Sequence, residues 1–342
     1  MIVPNTFLRA STYEPLRREL VQHYDICELA EVGPQVFSGV TASTVILVIK
    51  KDTPTGTIRI TALSMDSVAV ETNSLNAHQV MNNASTVFDI YSGTRFVDVS
   101  TKIEAEGRPL GDYVHHLISG IQTWKQHKSN FIANTALTDK YKPLLEGKDI
   151  GRYELRFQNK FILYDKDVLN VMQDDSIFLL PEKVLIQRVS GGNQPIRATL
   201  DTHSYYAFNS INTLVCRGLE NRYVLGILNS RLINWYYANK FSNRSTLTVN
   251  IANKLLRQLP IHPIDFSETE QVGKYNTLVS YVTRMLDLHQ RLAEKGALHD
   301  AEWEAIAREI RETDRAIDEL VYDLYGLSAA ERRLVEVEVG ER

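Results

Sequence analysis

The chain has 342 residues, 44% of them hydrophobic, and a net charge of −4, which allows two or more ordinary globular domains. Its two cysteines, Cys27 and Cys216, have no nearby Cys or His partners, which argues against a thiolate metal framework and fits a reducing cytoplasm. No basic segment leads into an apolar run at the N-terminus, and no stretch of about 18 apolar residues exists, so neither a signal peptide nor a membrane span is expected.

In chain order, Met1–Pro4 is a short apolar run. Thr12–His23 has helical spacing, with Leu16, Leu20 and Val21 on one face. Ile26–Val32 and Thr44–Lys50 read as strands, and the continuous run Val45–Ile49 is of the kind buried on both faces of a sheet. Between them a Gly33–Val40 loop carries Phe37. Thr57–Leu63 and Ser67–Glu71 alternate as short strands. Leu110–Trp124 has helical periodicity, with His115 and His116 as surface or core imidazoles on that helix. Strands are expected at Lys160–Tyr164, Lys183–Val189, Arg197–Leu200 and Asn212–Val215, with a strong turn at Ser190-Gly191-Gly192-Asn193-Gln194-Pro195. Helices are expected at Glu220–Asn239 and Val249–Leu259. Beyond Pro260 the apolar residues recur at three and four from Val272 to Leu324, and Ser328 with Glu331 forms a capping box for a last helix.

Charge is unevenly placed. Residues 1–107 hold 8 Lys/Arg against 12 Asp/Glu, residues 108–262 hold 20 against 12, and residues 263–342 hold 10 against 18. The middle segment is therefore a +8 island between acidic flanks, and such an island suits phosphates. Arg188 ends an apolar strand, Asn193 and Gln194 sit in the turn, and Arg197 opens the next strand. Arg pairs bidentately with guanine, and Asn or Gln with adenine, so these four are candidates for base reading. Lys148, Lys240, Asn243 and Arg244 are candidates for phosphate contacts. The alternative is a solvated hairpin edge, where charge discourages strand pairing.

Familiar catalytic signatures are missing from the 342 residues. No two of the 17 glycines are spaced GxG, no two of the ten prolines are adjacent, and neither HExxH nor GxSxG occurs. Glu146-Gly147-Lys148 with Asp139 upstream matches part of a metal-dependent nuclease motif, but in a turn rather than on a strand.

The segments Val3–Arg9 and Val36–Leu47 resemble the last third of the catalytic domain of N6-adenine DNA methyltransferases of the type IIG and phage-exclusion kinds. Leu144–Ile150, Lys183–Arg188, Leu228–Tyr236, Leu255–Ile261 and Ile317–Leu327 resemble the TaqI-like C-terminal specificity domain and tail of those enzymes. The resemblance implies a mixed α/β fold: a partial methyltransferase sheet (1–107), an α+β target-recognition domain (108–262) and a C-terminal helical hairpin (263–342). In that family the cofactor strands and the Pro-Pro-aromatic motif precede the segment that begins here at Met1. This chain alone is then expected to bind no S-adenosylmethionine and to catalyse nothing, although the complete enzyme uses that cofactor. Phe37 is implied as the aromatic that stacks on a flipped base. Double-stranded DNA and a separate catalytic methyltransferase half are the implied partners. A stand-alone DNA specificity or adaptor subunit, and a metal-dependent nuclease, remain as alternatives.

Overall fold

The structure, a computed structural model, describes all residues except 34–43, 64–68, 83–85, 91–93, 124–130, 168, 172, 192–193, 242–248, 297–299 and 340–342. It divides into two compact units, Met1–Ser100 with Asn239–Asn243, and Thr101–Ala238 with Arg244–Arg342. Its class is mixed α/β, as expected from the sequence.

The first unit contains β1 (Ile2–Pro4), α1 (Glu14–His23), β2 (Asp25–Gly33), β3 (Thr44–Lys50), β4 (Thr57–Leu63), β5 (Ala69–Asn76) and α2 (Ala77–Asn82), and α3 (Thr94–Glu106) begins in it. The five strands form one sheet in the order β1-β3-β2-β4-β5, antiparallel except for the parallel pair β2/β4. Leu29, Val45, Leu47, Ile58 and Ile60 face a core shared with Val21, Val80, Phe7 and Phe88. A register shift between Ile26 and Glu28 resets the strand's alternation, so Ile26 and Leu29 both point into that core. The continuous run in β3 is buried on one face rather than two, because alternate residues take opposite sides and Val48 is 41% exposed. The helix at residues 14–23 also turns differently from its apolar spacing. Leu16 is exposed, and Arg17 is fully buried in its place. Its guanidinium donates to the carbonyls of Thr86, Phe7 and Ala10, each at 2.8 Å, which satisfies a cation that would otherwise be costly to bury.

The second unit starts with β6 (Arg108–Pro109), β7 (Val114–Ser119), β8 (Gln122–Thr123), β9 (Ile132–Ala133), β10 (Tyr141–Leu145), β11 (Phe161–Leu163), β12 (Leu169–Val171) and α4 (Asp175–Phe178). It continues with β13 (Lys183–Gln187), β14 (Val189–Ser190), β15 (Ala198–Asp201), β16 (Tyr206–Ala207), β17 (Ile211–Cys216), α5 (Asn221–Asn229) and α6 (Arg231–Lys240). It ends with β18 (Val249–Asn250), α7 (Asn253–Leu256), β19 (Pro260–Ile261), α8 (Thr269–Lys295), α9 (Ala301–Leu324) and α10 (Ala329–Val339). An antiparallel sheet β15-β13-β17-β7 and a second sheet β16-β10-β11-β9 enclose a core that includes Leu144, Leu145, Ile162, Leu185, Tyr206 and Ile211. No helix among the described residues is long and apolar enough to cross a membrane.

Of three helices expected here, one is replaced by strands, one is divided in two and one is shortened. Leu110–Trp124 is a 3-10 turn (Leu110–Tyr113) followed by β7 and β8, which places His115 and His116 on a strand. Pairing of β7 with β17, from Asn212↔Ser119 to Cys216↔Val114, overrides a spacing compatible with either structure. Glu220–Asn239 is broken at Ser230, whose extended backbone (φ −64°, ψ 153°) ends α5 and whose hydroxyl accepts from the Ile233 N–H to start α6. Val249–Leu259 supplies the strand β18, paired with β14, before the short α7.

The C-terminal helices form as the spacing predicts, and Ser328 and Glu331 exchange the expected capping bonds at 3.4 and 2.6 Å. They are docked on the rest of this unit by specific contacts. Gly226 lets α5 approach α8, since a Cβ there would meet the Val282 side chain at 2.9 Å. Asp314 of α9 pairs with Arg152 at 2.7 Å, and Asp318 accepts from the Arg231 N–H at 2.8 Å. The buried Tyr325 hydroxyl donates to the Pro260 carbonyl at 2.7 Å and accepts from the His262 N–H at 2.9 Å.

Candidate nucleic-acid interface

The strand β13 ends at Gln187, and the ladder that follows determines which side chains meet. The Gln187 N–H donates to the Arg197 carbonyl at 2.9 Å, so Arg197 lies across from Gln187 at one end of the sheet, and Arg188 is the next residue along from Gln187. Ser190 donates to the Pro195 carbonyl and closes the intervening turn, with Gln194 half-buried in it. The pairing of β14 with β18 (Val189↔Asn250, Ser190↔Val249) brings Val249 and Asn250 beside the start of that turn. Arg197 is exposed. Arg188 is half-buried, with one guanidinium nitrogen on the Asn209 carbonyl at 3.3 Å and no further side-chain hydrogen bond among the described residues.

Lys148 arrives there from a different strand. The Gly147–Asp149 3-10 turn follows β10 and is closed by reciprocal capping, in which the Glu146 N–H donates to the Asp149 carboxylate at 2.7 Å. Its Gly147 N–H donates to the Ser210 hydroxyl at 2.8 Å, and the Ser210 carbonyl accepts from the Arg188 N–H at 2.9 Å. Lys148, Arg188, Arg197 and Gln194 therefore share one contiguous region. Asn193, Asn243, Arg244 and Phe37 lie outside the described residues, and Lys240 is half-buried at the end of α6, in the segment that counts with the first unit.

The cations of this segment differ in their ion pairing, and among the described residues Lys142, Lys166, Arg217, Lys254 and Arg257 have no carboxylate within ion-pair distance. Lys183, Arg152, Arg156, Lys160, Arg222 and Arg231 each have a carboxylate partner. No carboxylate among the described residues lies within ion-pair distance of Arg188 or Arg197. Lys148 reaches Glu146 only at 3.8 Å and is 67% exposed. Glu146 is bound more closely by Lys160, and that hydrogen bond raises the Lys160 pKa and keeps it charged. Glu146 is thus largely neutralised before it can repel a phosphate. Lys160, Asn209 and Ser210 were not anticipated from sequence. Only the turn-forming Asn-Ser pair ahead of an apolar strand pointed to them.

The nuclease alternative gains nothing from this geometry. Glu146 is engaged by lysines, Asp149 is 2% exposed and accepts a backbone bond, and the described residues contain no cluster of three or more His, Cys, Asp or Glu side chains suited to a metal.

Residues 142–261 match the TaqI-like C-terminal specificity domain. The expected resemblance to the specificity part of restriction–modification proteins therefore holds. Over 339 residues the chain is 23% identical to a Methanocaldococcus jannaschii protein that bears the name of a type II restriction enzyme and methyltransferase. The chain spans 27% of that relative's length. The solved type IIL restriction-modification enzyme MmeI, determined in complex with DNA, is similar in fold with a TM-score of 0.59. That similarity covers 99% of this chain and 48% of MmeI at 12% identity. The rim of Arg188, Arg197 and Lys148 lies within the specificity domain.

A small cleft in the first unit is lined by Val21, Tyr24, Asp25, Ile26 and Gly56. The Asp25 carboxylate in it is already taken by the Thr55 hydroxyl and N–H at 2.7 and 3.0 Å, bonds that hold its pKa below the usual value.

Proposed function

We propose that this chain reads a specific sequence in double-stranded DNA and directs N6-adenine methylation to it, within a restriction–modification or phage-defence system. The observation that carries the reading is the match of residues 142–261 to a TaqI-like specificity domain, with Arg188 and Arg197 outside ion-pair distance of any carboxylate among the described residues and Lys148 exposed within it. Uncompensated guanidiniums held by backbone bonds suit base edges, and an exposed ammonium suits phosphate. The expected result is saturable binding to a pool of randomised duplexes and enrichment of one motif. Log K should fall with log salt, each phosphate neutralised contributing about −0.9 to the slope and Lys148 supplying one of them. A calorimetric titration of the same chain with S-adenosylmethionine should show no saturable heat. Binding that ignores salt, or enriches no motif, would contradict the reading.

Methyl transfer then requires a catalytic methyltransferase half, and β1 is where we place its attachment. Among the described residues β1 pairs with β3 on one side only, and Ile2 and Val48 are exposed on the outer sheet face at 52% and 41%. A bare strand edge beside apolar side chains recruits another strand. Hydrogen exchange should be fast at Ile2, whose N–H faces away from β3, in the chain alone and slow when a methyltransferase half is co-expressed. Strong protection of this amide in a dilute monomer would favour a stand-alone specificity or adaptor subunit.

A further inference from the structure

Ser210 stands between the two parts of the proposed interface and bonds to both. Its hydroxyl accepts from the Gly147 N–H at 2.8 Å, next to Lys148, and its carbonyl accepts from the Arg188 N–H at 2.9 Å. The neighbouring Asn209 carbonyl takes the Arg188 guanidinium at 3.3 Å. The turn that carries Lys148 is rigid within itself, because Glu146 and Asp149 cap each other across it. Its position relative to β13 is another matter, since a turn at the end of β10 has no ladder bond to that strand. The Gly147–Ser210 hydrogen bond, next to the Phe208 N–H bond to the Leu145 carbonyl at 2.9 Å, ties the turn to the segment that leads into β17, whose Ser210 carbonyl in turn holds the Arg188 N–H. The fit is close as well as bonded. A Cβ on residue 147 would come within 2.8 Å of the Ser210 carbonyl oxygen and 3.2 Å of its Cβ, so the approach depends on glycine at that position.

From this geometry we infer that Ser210 is a positioning residue that ties the Lys148 turn to Arg188, so that a phosphate contact and a base-reading group meet duplex DNA at a fixed spacing. The inference rests on the DNA reading given above. Ser210 touches no DNA in this account and acts through Lys148. A side chain with only a packing role would change stability and leave the electrostatics of binding alone. A register-setting one has a different signature, because a lysine displaced from its phosphate no longer releases a counterion.

The test uses the full chain with two probes, the duplex enriched from the randomised pool and a scrambled duplex of the same composition. Lys148→Ala should reduce the salt slope by about 0.9, the value for one phosphate. Ser210→Ala should reduce it by the same amount, and the double variant Lys148→Ala/Ser210→Ala by no more than either alone, since residues acting through one contact are not additive. Ser210→Thr, which keeps the hydroxyl, should restore the slope. Gly147→Ala, which pushes from the other side of the same contact, should reproduce the Ser210→Ala slope and keeps the test open if Ser210→Ala folds poorly. A Ser210→Ala slope equal to the parent's, or losses that add to those of Lys148→Ala, would overturn the inference while leaving the DNA reading intact. Failure of the unaltered chain to bind either duplex would overturn both.

Discussion

Replacing Asp201 with alanine is expected to lower the melting temperature of the second unit by about 6–20 °C, from a loss of about 3–5 kcal/mol. Lys183 and Asp201 face each other across β13 and β15, both 0% exposed, with the ammonium 2.6 Å from the carboxylate. The lysine also donates to the Phe178 carbonyl at 2.6 Å. Asp201 does more than balance a charge. Its two oxygens accept from the His203 and Tyr205 N–H groups at 2.7 and 3.0 Å, which holds a turn containing Ser204 at a positive φ of 59°. Removing the carboxylate strands a buried cation and two backbone donors together. Burial already draws the Lys183 pKa down, so the stranded lysine would give up its proton rather than stay charged. Lys183→Met with Asp201→Asn keeps an acceptor for the turn and removes the cation, and should recover most of the loss. Calorimetric melts of the two variants decide the matter. A drop under about 2 °C for Asp201→Ala would mean that the site admits water or repacks.

The same pair shows why parts of this fold could be read from sequence and others could not. Lys183 and Asp201 flank strands that were expected from their apolar runs, but nothing in composition says that these two charges meet. Local pattern served well where one period dominates, as in β3 and in the long helices α8 and α9. It failed at Leu110–Trp124, where Val114, Leu117, Ile118 and Ile121 fit a helical spacing while pairing with β17 makes a strand. It also missed Arg17, because a buried arginine is justified only by three carbonyls brought in from elsewhere in the fold. The candidate interface divides in the same way. Arg188 and Arg197 could be picked out as basic residues at strand ends, and the fold places both at one end of the sheet with no carboxylate among the described residues within ion-pair distance. Ser210 could not, since its role is a contact across 63 residues made by a hydroxyl that looks like any other loop serine.

Substitution of the arginine couple carries the largest expected effect on function. Arg197→Ala should cost about 1–3 kcal/mol on the enriched duplex, roughly a 5- to 150-fold loss, and little on a scrambled one, if its guanidinium reads a base. The physical ground is that Arg197 is exposed and unpaired, and its backbone carbonyl is pinned by the Gln187 N–H, so the side chain is presented from a fixed point. Arg188→Ala should lose at least as much on the enriched duplex, and it should also lower stability slightly. Its guanidinium has a hydrogen bond to the Asn209 carbonyl to give up. Anisotropy titrations of each variant on both duplexes, repeated across a salt series, separate the roles. A loss equal on both duplexes, with a slope shallower by about 0.9, would reassign the residue to a phosphate. No loss on either duplex would make the couple a solvated strand edge, whose charges discourage unwanted pairing. Sequence reading by this domain would then have to come from elsewhere on the rim.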